Sequence, residues 1–150
     1  MEVLVRDLQS LPIDEEILAR AAHEAARVGV EAPDSPADAP PDAIGIAIVD
    51  DRRIRDLNHG YLGVDGVTDV IAFEADDEPD LRAGEVIVSA DTAARQAAEF
   101  GHPLQHELCL LVAHGVLHVL GYEDYDDAAR ARMHELGERA VETLEGGSTQ

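Results

Sequence analysis

The segment PLQHELCLLVAHGVLHVLG, residues 103–121, decides which fold this sequence can adopt. Its apolar residues nearly encircle the helix that it predicts, and a helix that is apolar all round has to be buried. Pro103 suits the first turn of that helix, and Gly121 suits its end. The segment therefore predicts a central buried helix around which the rest of the chain is arranged.

Apolar runs predict four strands, and apolar residues at helical spacing predict the remaining helices. The strands are expected over residues 1–7, 43–50, 68–75 and 85–90, and the further helices over 14–30, 50–63, 91–101 and 126–144. Asp14 and Asp91 are the expected N-caps of two helices, and Gly29 is an expected stop. Strands interleaved with helices predict an α+β fold with a mixed, mostly parallel four-stranded sheet.

The length of 150 residues and the apolar content of 45% predict one domain over residues 1–150. Residues 31–42, rich in Pro, Asp and Ala, are expected to form a surface loop within it, and residues 146–150 a flexible tail. No apolar run reaches the ~20 residues that span a bilayer, so no membrane partner is expected. A single cysteine, Cys109, allows no internal disulfide and favours a cytoplasmic location.

The net charge of −21 opposes broad contact with nucleic acid, because phosphate contacts supply much of that affinity. All 11 basic residues are arginines, and three of them cluster at Arg52, Arg53 and Arg55, here called the arginine patch. The patch is a candidate for holding the phosphates of a nucleic acid, and an exposed helix face without a ligand is an equal alternative.

His114 and His118 lie four residues apart and therefore share one face of the central helix. Two imidazoles so placed can bind one zinc ion, although such a pair also occurs without metal. Gly121 then allows the chain to turn an acidic segment back towards the pair. The candidates for a third ligand in that segment are Glu123, Asp124, Asp126 and Asp127, of which Asp126 is expected to cap the last helix. His106 and His134 are further candidates.

Residues 114–124, HGVLHVLGYED, resemble the metal motif of the YbeY family of endoribonucleases, His-Gly-x-Leu-His-Leu-x-Gly-Tyr-Asp-His. Residues 57–74, LNHGYLGVDGVTDVIAFE, and 83–91, AGEVIVSAD, resemble two further blocks of that family, and HEL at residue 106 also fits. The resemblance covers roughly residues 44 to 140, with the blocks in the family's order and spacing.

The resemblance implies a zinc-dependent, single-strand-specific endoribonuclease of ribosomal RNA maturation, acting late at the 3′ end of 16S rRNA and in ribosome quality control. Ribosomal RNA and the small ribosomal subunit would be its partners. It also implies one zinc ion per chain, with His114, His118 and Asp124 as metal ligands and catalytic positions. Two departures stand out: Asp124 replaces the third histidine, and Leu62 replaces an arginine of the family. Asn58, Thr68 and Asp69 match family positions without an assigned step.

Two alternatives are a zinc metallopeptidase-like hydrolase and a non-catalytic, zinc-containing protein associated with the ribosome. A zincin needs a glutamate base directly after its first histidine, where this chain has Gly115. Glu107 is seven residues before His114, or ~10 Å along the helix axis. A site with three protein ligands also leaves an open position, which favours catalysis over a structural role.

Overall fold

A mixed sheet and five helices make up the protein in a computed structural model that describes residues 1–63, 66–75 and 81–148. The elements are β1 (Glu2–Asp7), α1 (Glu15–Glu31), β2 (Ala43–Val49), α2 (Asp51–Leu62), β3 (Val70–Ala75), β4 (Ala83–Ser89), α3 (Ala90–Phe100), α4 (Leu104–Leu120) and α5 (Asp127–Ser148). The strand order is β1-β2-β4-β3; β1, β2 and β4 are parallel, and β3 is antiparallel to β4. The predicted fold class, with its mostly parallel sheet, is confirmed.

The two faces of the sheet are covered unequally, because successive side chains of a strand point to opposite faces. On one face, residues such as Ile46 and Val88 join the large core that α1, α3, α4 and α5 form. On the other face, Val49 and Ile87 pack against Ile54 of α2 in a smaller core. The helix α2 is therefore separated from α4 by the sheet.

The helix α4 contacts α1, α3, α5, β3 and β4, and it carries both His114 and His118. Glycines allow its close approach to its neighbours: a Cβ at Gly29 of α1 would lie 2.6 Å from a side-chain carbon of Leu120. The prediction that Gly29 ends α1 is therefore wrong, because α1 continues to Glu31. This glycine provides space for helix packing and does not end the helix.

The helix starts agree in part with the predicted caps. The Asp14 carboxylate accepts a hydrogen bond from the Ile17 amide at 3.2 Å, as predicted. The cap of α3 is Ser89, whereas the predicted cap Asp91 instead accepts a hydrogen bond from the backbone amide of Asp51. A polar side chain near the start of a helix predicts the position of the N-cap only to within a residue or two.

Asp51 joins α2 to α3 through its side chain. Its carboxylate accepts hydrogen bonds from Ser89 Oγ at 2.6 Å and Thr92 Oγ1 at 2.7 Å, and Arg95 lies 2.8 Å away. Burial alone would raise the pKa of Asp51, but these three groups outweigh it and lower the pKa below its usual value. The charged carboxylate therefore stabilises the start of α3.

The two segments predicted to lie outside regular structure behave differently. Residues 32–42 form neither helix nor strand, and residue 31, the first of the expected loop, belongs to α1. The helix α5 extends to Ser148, so the predicted tail begins inside a helix, and residues 149 and 150 lie outside the described part. Within the described ranges, no helix is long and apolar enough to cross a membrane.

Candidate active site

The turn after α4 is held in place by a glycine and a tyrosine. Gly121 has a φ of 111°, in the left-handed region that favours glycine, and its amide donates to the His118 carbonyl. The next residue, Tyr122, is buried, and its hydroxyl donates to the Gly29 carbonyl of α1 at 2.7 Å. The turn brings Asp124 Oδ2 to 3.6 Å from His118 Nε2. The predicted return of the acidic segment towards the histidines is therefore observed.

The ring of His114 lies between α4 and α5. Its Nε2 atom is buried and has no hydrogen-bond partner among the described residues. A Cβ at Gly137 of α5 would lie only 3.0 Å from this nitrogen, so the absence of a side chain allows α5 to approach the ring. A buried ring nitrogen without a partner is costly, and a ligand on it would remove that cost.

Burial is the main cause that lowers the pKa of His114, because it disfavours the charged imidazolium. The neighbouring imidazoles of His134 and His118 lower the pKa further, whereas Asp69 and Glu138 partly oppose the change. The ring is therefore neutral at pH 7, which is the form that can bind a metal.

His134 of α5 lies beside His114, with the two ring centroids 5.9 Å apart. The His134 side chain is 64% exposed and approaches Glu138 Oε1 at 3.4 Å. Residues 114 and 134 are distant in sequence, so spacing identified His134 only as one of several further candidates. No local signal in α5 identified it, because its place beside His114 depends on how α5 packs against α4.

A cavity of about 320 Å³ is lined by His114, His118 and Asp124 together with Asp69 and His134 among others. The structure thus brings the three predicted site residues to one cavity. Within the described residues, no three His, Cys, Asp or Glu side chains are arranged to hold a metal ion. The side chains of Asp124 and His134 are 57% and 64% exposed, so rotation of either can change this arrangement at low cost.

The donor set fits zinc in its chemistry. Two neutral imidazoles and one carboxylate are ordinary zinc ligands, and the buried Nε2 of His114 lacks another partner among the described residues. Glu123, another candidate for the third metal ligand, is exposed. It is not among the residues that line the described cavities near His114 and His118. Asp126 instead accepts a hydrogen bond from the Ala129 amide at 2.7 Å at the start of α5, as predicted.

The position after the first histidine faces the sheet. A Cβ at Gly115 would overlap the side chain of Val86 in β4, so a glutamate there would have no room and could not face the cavity. Glu107 is buried and bound to His102 Nε2 at 2.6 Å. Neither position therefore supplies the base of a zincin peptidase.

The other residues singled out in the sequence lie in several parts of the fold. The arginine patch is exposed on α2, beyond the sheet from α4, and none of its residues is among the described residues that line the cavities around His114. Asn58 donates to the Gly66 carbonyl at 3.2 Å, and Thr68 lines a cavity with His118 and Asp124. The ring of His106 lies 4.6 Å from that of His102, near the start of α4, and the side chain of Leu62 is outside the described part.

Comparison with known proteins gives a family match over almost the whole chain. The family model described as "Endoribonuclease YbeY" matches residues 7–145. Relatives with that name include proteins from Desulforamulus reducens and Pelotomaculum thermopropionicum, each 37% identical. Both alignments cover 96% of this chain and 97% of the relative. A further relative from Moorella thermoacetica is 43% identical over 65% of this chain and 69% of its own length.

A solved structure has the same fold. The solution structure of TM1509 from Thermotoga maritima matches with a TM-score of 0.61 and 24% identity, and the match covers 97% of this chain and 92% of that one. At this identity, the match supports the arrangement of helices and strands and nothing about chemistry.

Proposed function

The chain belongs to the Endoribonuclease YbeY family, and from that premise we propose that it is a zinc-dependent, single-strand-specific endoribonuclease of ribosomal RNA maturation. The proposed step is late processing at the 3′ end of 16S rRNA, in the cytoplasm, with the small ribosomal subunit as partner and a role in ribosome quality control. One observation carries the assignment of the site: His114, His118 and Asp124 line the same cavity in a chain with this family match.

The three residues would hold one zinc ion per chain. When bound, zinc acts as a Lewis acid that polarises a phosphoryl oxygen or activates the attacking oxygen. His114 is suited to this role because its ring is neutral at pH 7 and is fixed between two helices. His118 and Asp124 lie at the mouth of the cavity, with 32% and 57% of their side chains exposed, where they can contact substrate as well.

The neighbouring groups define what the substrate meets. Asp69 lines the cavity beside His114 and accepts a hydrogen bond from Gln96 at 3.3 Å, which orients its carboxylate. Arg130 lines the same cavity and is a cation near the proposed metal ligands. Its side chain is 61% exposed and pairs with Asp127, so it can exchange that partner for an RNA phosphate at low cost.

The test combines metal analysis with cleavage of a fluorescent single-stranded RNA. The purified protein should contain one zinc ion per chain and should cleave the RNA, and a chelator should abolish cleavage until zinc is restored. The double variant His114→Ala, His118→Ala should lose both the metal and the activity. A double variant that keeps one zinc ion per chain would show that the metal lies elsewhere.

The same preparation tests the two alternatives. Casein cleavage that a chelator abolishes would support a peptidase-like hydrolase, although the packing of Gly115 against Val86 opposes it. Bound zinc without cleavage of RNA or casein would support a non-catalytic protein associated with the ribosome. A paired RNA of the same sequence is the control for strand specificity, and it should resist cleavage.

A further inference from the structure

A further cavity, of about 510 Å³, extends from His114 towards the start of α4. Its floor is one face of α4, formed by Glu107, Leu110, Leu111 and His114. Residues 107 and 114 are two turns apart, or ~10 Å along the helix. The cavity therefore adjoins the proposed metal site, with which it shares Asp69, His114 and His134, and it extends beyond that site along α4.

Phe100 forms part of the rim of this cavity. It is the last residue of α3 and is 65% exposed. The centroid of its ring lies 6.0 Å from the centroid of the His102 ring. A ligand that covers an exposed aromatic ring gains free energy, because burial of the apolar surface of the ring is favourable. Nucleobases stack on such rings in proteins that bind single-stranded nucleic acid.

The charge of the cavity determines which part of a nucleotide it can receive. Carboxylates of Asp69, Glu107 and Glu138 line it, and the chain as a whole has a net charge of −21. These carboxylates disfavour a phosphate there, and of the three, Glu107 is already bound to His102. A base edge that carries an amino group would be favoured, because carboxylate and amide oxygens accept hydrogen bonds from amino groups. Gln96 supplies an amide group at the same cavity.

We propose that this cavity is a binding subsite for one unpaired nucleobase of the RNA, stacked on Phe100, with its amino-bearing edge directed to the carboxylates. The inference rests on the proposed function, since it takes RNA as the substrate. It adds that a base next to the cleavage position is recognised, and that adenine, cytosine or guanine is preferred to uracil. The occupant has to be unpaired, because a base inside a duplex cannot leave its stack without a cost.

The test measures binding and cleavage of short single-stranded RNAs by the parent chain and by Phe100→Ala, with Phe100→Trp as the conservative variant. In a series of RNAs, the base is removed at a different position in each member. The removal deletes the partner that would stack on Phe100 and keeps the phosphate. With intact RNA, Phe100→Ala should weaken binding about 5- to 150-fold, the range for loss of one stacked base, whereas Phe100→Trp should retain affinity. Leu4→Ala, at a 65% exposed apolar residue of β1 away from the site, is the matched control and should change nothing.

The outcomes separate this subsite from the proposed function. The subsite is supported if removal of the base at one particular position of the RNA weakens RNA binding by the parent and by Phe100→Trp. The same removal should have little further effect on RNA binding by Phe100→Ala. If the parent cleaves RNA and Phe100→Ala binds every RNA as the parent does, the subsite is wrong and the proposed function stands. If the parent neither binds nor cleaves any of the RNAs, the proposed function fails, and this inference fails with it. Melting temperatures near that of the parent would confirm that all variants are folded.

Discussion

Replacement of Gly137 by alanine should disturb the proposed metal site although alanine is the better helix former. A Cβ at this position would lie 2.9 Å from Cδ2 and 3.0 Å from Nε2 of His114. Favourable contacts between carbon atoms begin at about 3.5 Å, so the ring or α5 would have to move by roughly half an ångström. Because the Nε2 atom is buried between the two helices, the ring cannot relieve the overlap by a small rotation into solvent.

Two contributions to the free energy of unfolding oppose each other in this variant. Alanine in place of glycine inside a helix stabilises by about 1 kcal/mol, whereas an extra carbon in a well-packed region costs about 1–3 kcal/mol. The control is Gly60→Ala in α2, where a Cβ would meet none of the described residues within 4 Å, so only the helix-forming gain is expected. The free energy of unfolding should therefore be lower for Gly137→Ala than for Gly60→Ala by about 1–3 kcal/mol.

The assay is urea unfolding of the metal-free proteins, since bound metal would itself stabilise the folded state. Zinc affinity is then measured by competition with a coloured chelator. We expect Gly137→Ala to bind zinc more weakly than the parent, and Gly60→Ala to bind it equally well. If Gly137→Ala is as stable as Gly60→Ala and binds zinc as the parent does, α5 does not fix the ring of His114, and the reasoning is refuted.

Three further predictions concern other parts of the chain. Asp124→Ala should lower the zinc content of the purified protein and Asp124→His should restore it; a loss of zinc in Glu123→Ala instead would identify the neighbour as the ligand. Replacement of the whole arginine patch by alanine should weaken RNA binding at low salt; an unchanged affinity would remove α2 from the RNA interface. Asp51→Asn should lower the melting temperature at pH 7, because a lowered pKa stabilises the fold above the usual pKa of 3.8. This difference from the parent should shrink as the pH falls below that value, and a difference independent of pH would contradict the charged network.

The local spacing of apolar residues was sufficient to predict most of the helices and strands. The apolar run of β2 predicted a strand, and the all-round apolar surface of α4 predicted its burial, because both signals are carried by a few consecutive residues. Glycine was less informative: Gly121 ends α4 as predicted, whereas Gly29 lies inside α1. The same residue type serves a turn and a close helix contact, and only the packing partner distinguishes the two uses.

The candidate site was predictable only where its residues are close in sequence. His114, His118 and Asp124 share one short segment, and the structure brings them to one cavity. The place of His134 depends on the angle at which α5 returns across α4, and no local signal determines that angle. The rim position of Phe100 likewise depends on how α3 packs beside α4. A composition this acidic also gave no reason to expect the nucleobase subsite proposed above.

The aspartate at position 124 would connect the proposed metal site to the way in which RNA is recognised. With zinc counted as divalent and the imidazoles as neutral, a third histidine would leave a site charge of about +2, whereas Asp124 as the third ligand would leave about +1. The carboxylates of Asp69 and Glu138 near His114 reduce the local potential further. Such a site attracts phosphate weakly, so we expect contacts that do not depend on charge to supply most of the affinity. Stacking of a base on Phe100 is a contact of this kind, and RNA binding should then depend only weakly on salt compared with a protein that binds through many phosphates. A steep salt dependence of RNA binding that persists after replacement of the arginine patch would show that other cations hold the RNA. Charge would then supply more of the RNA affinity than stacking, which is the reverse of the inference from Asp124.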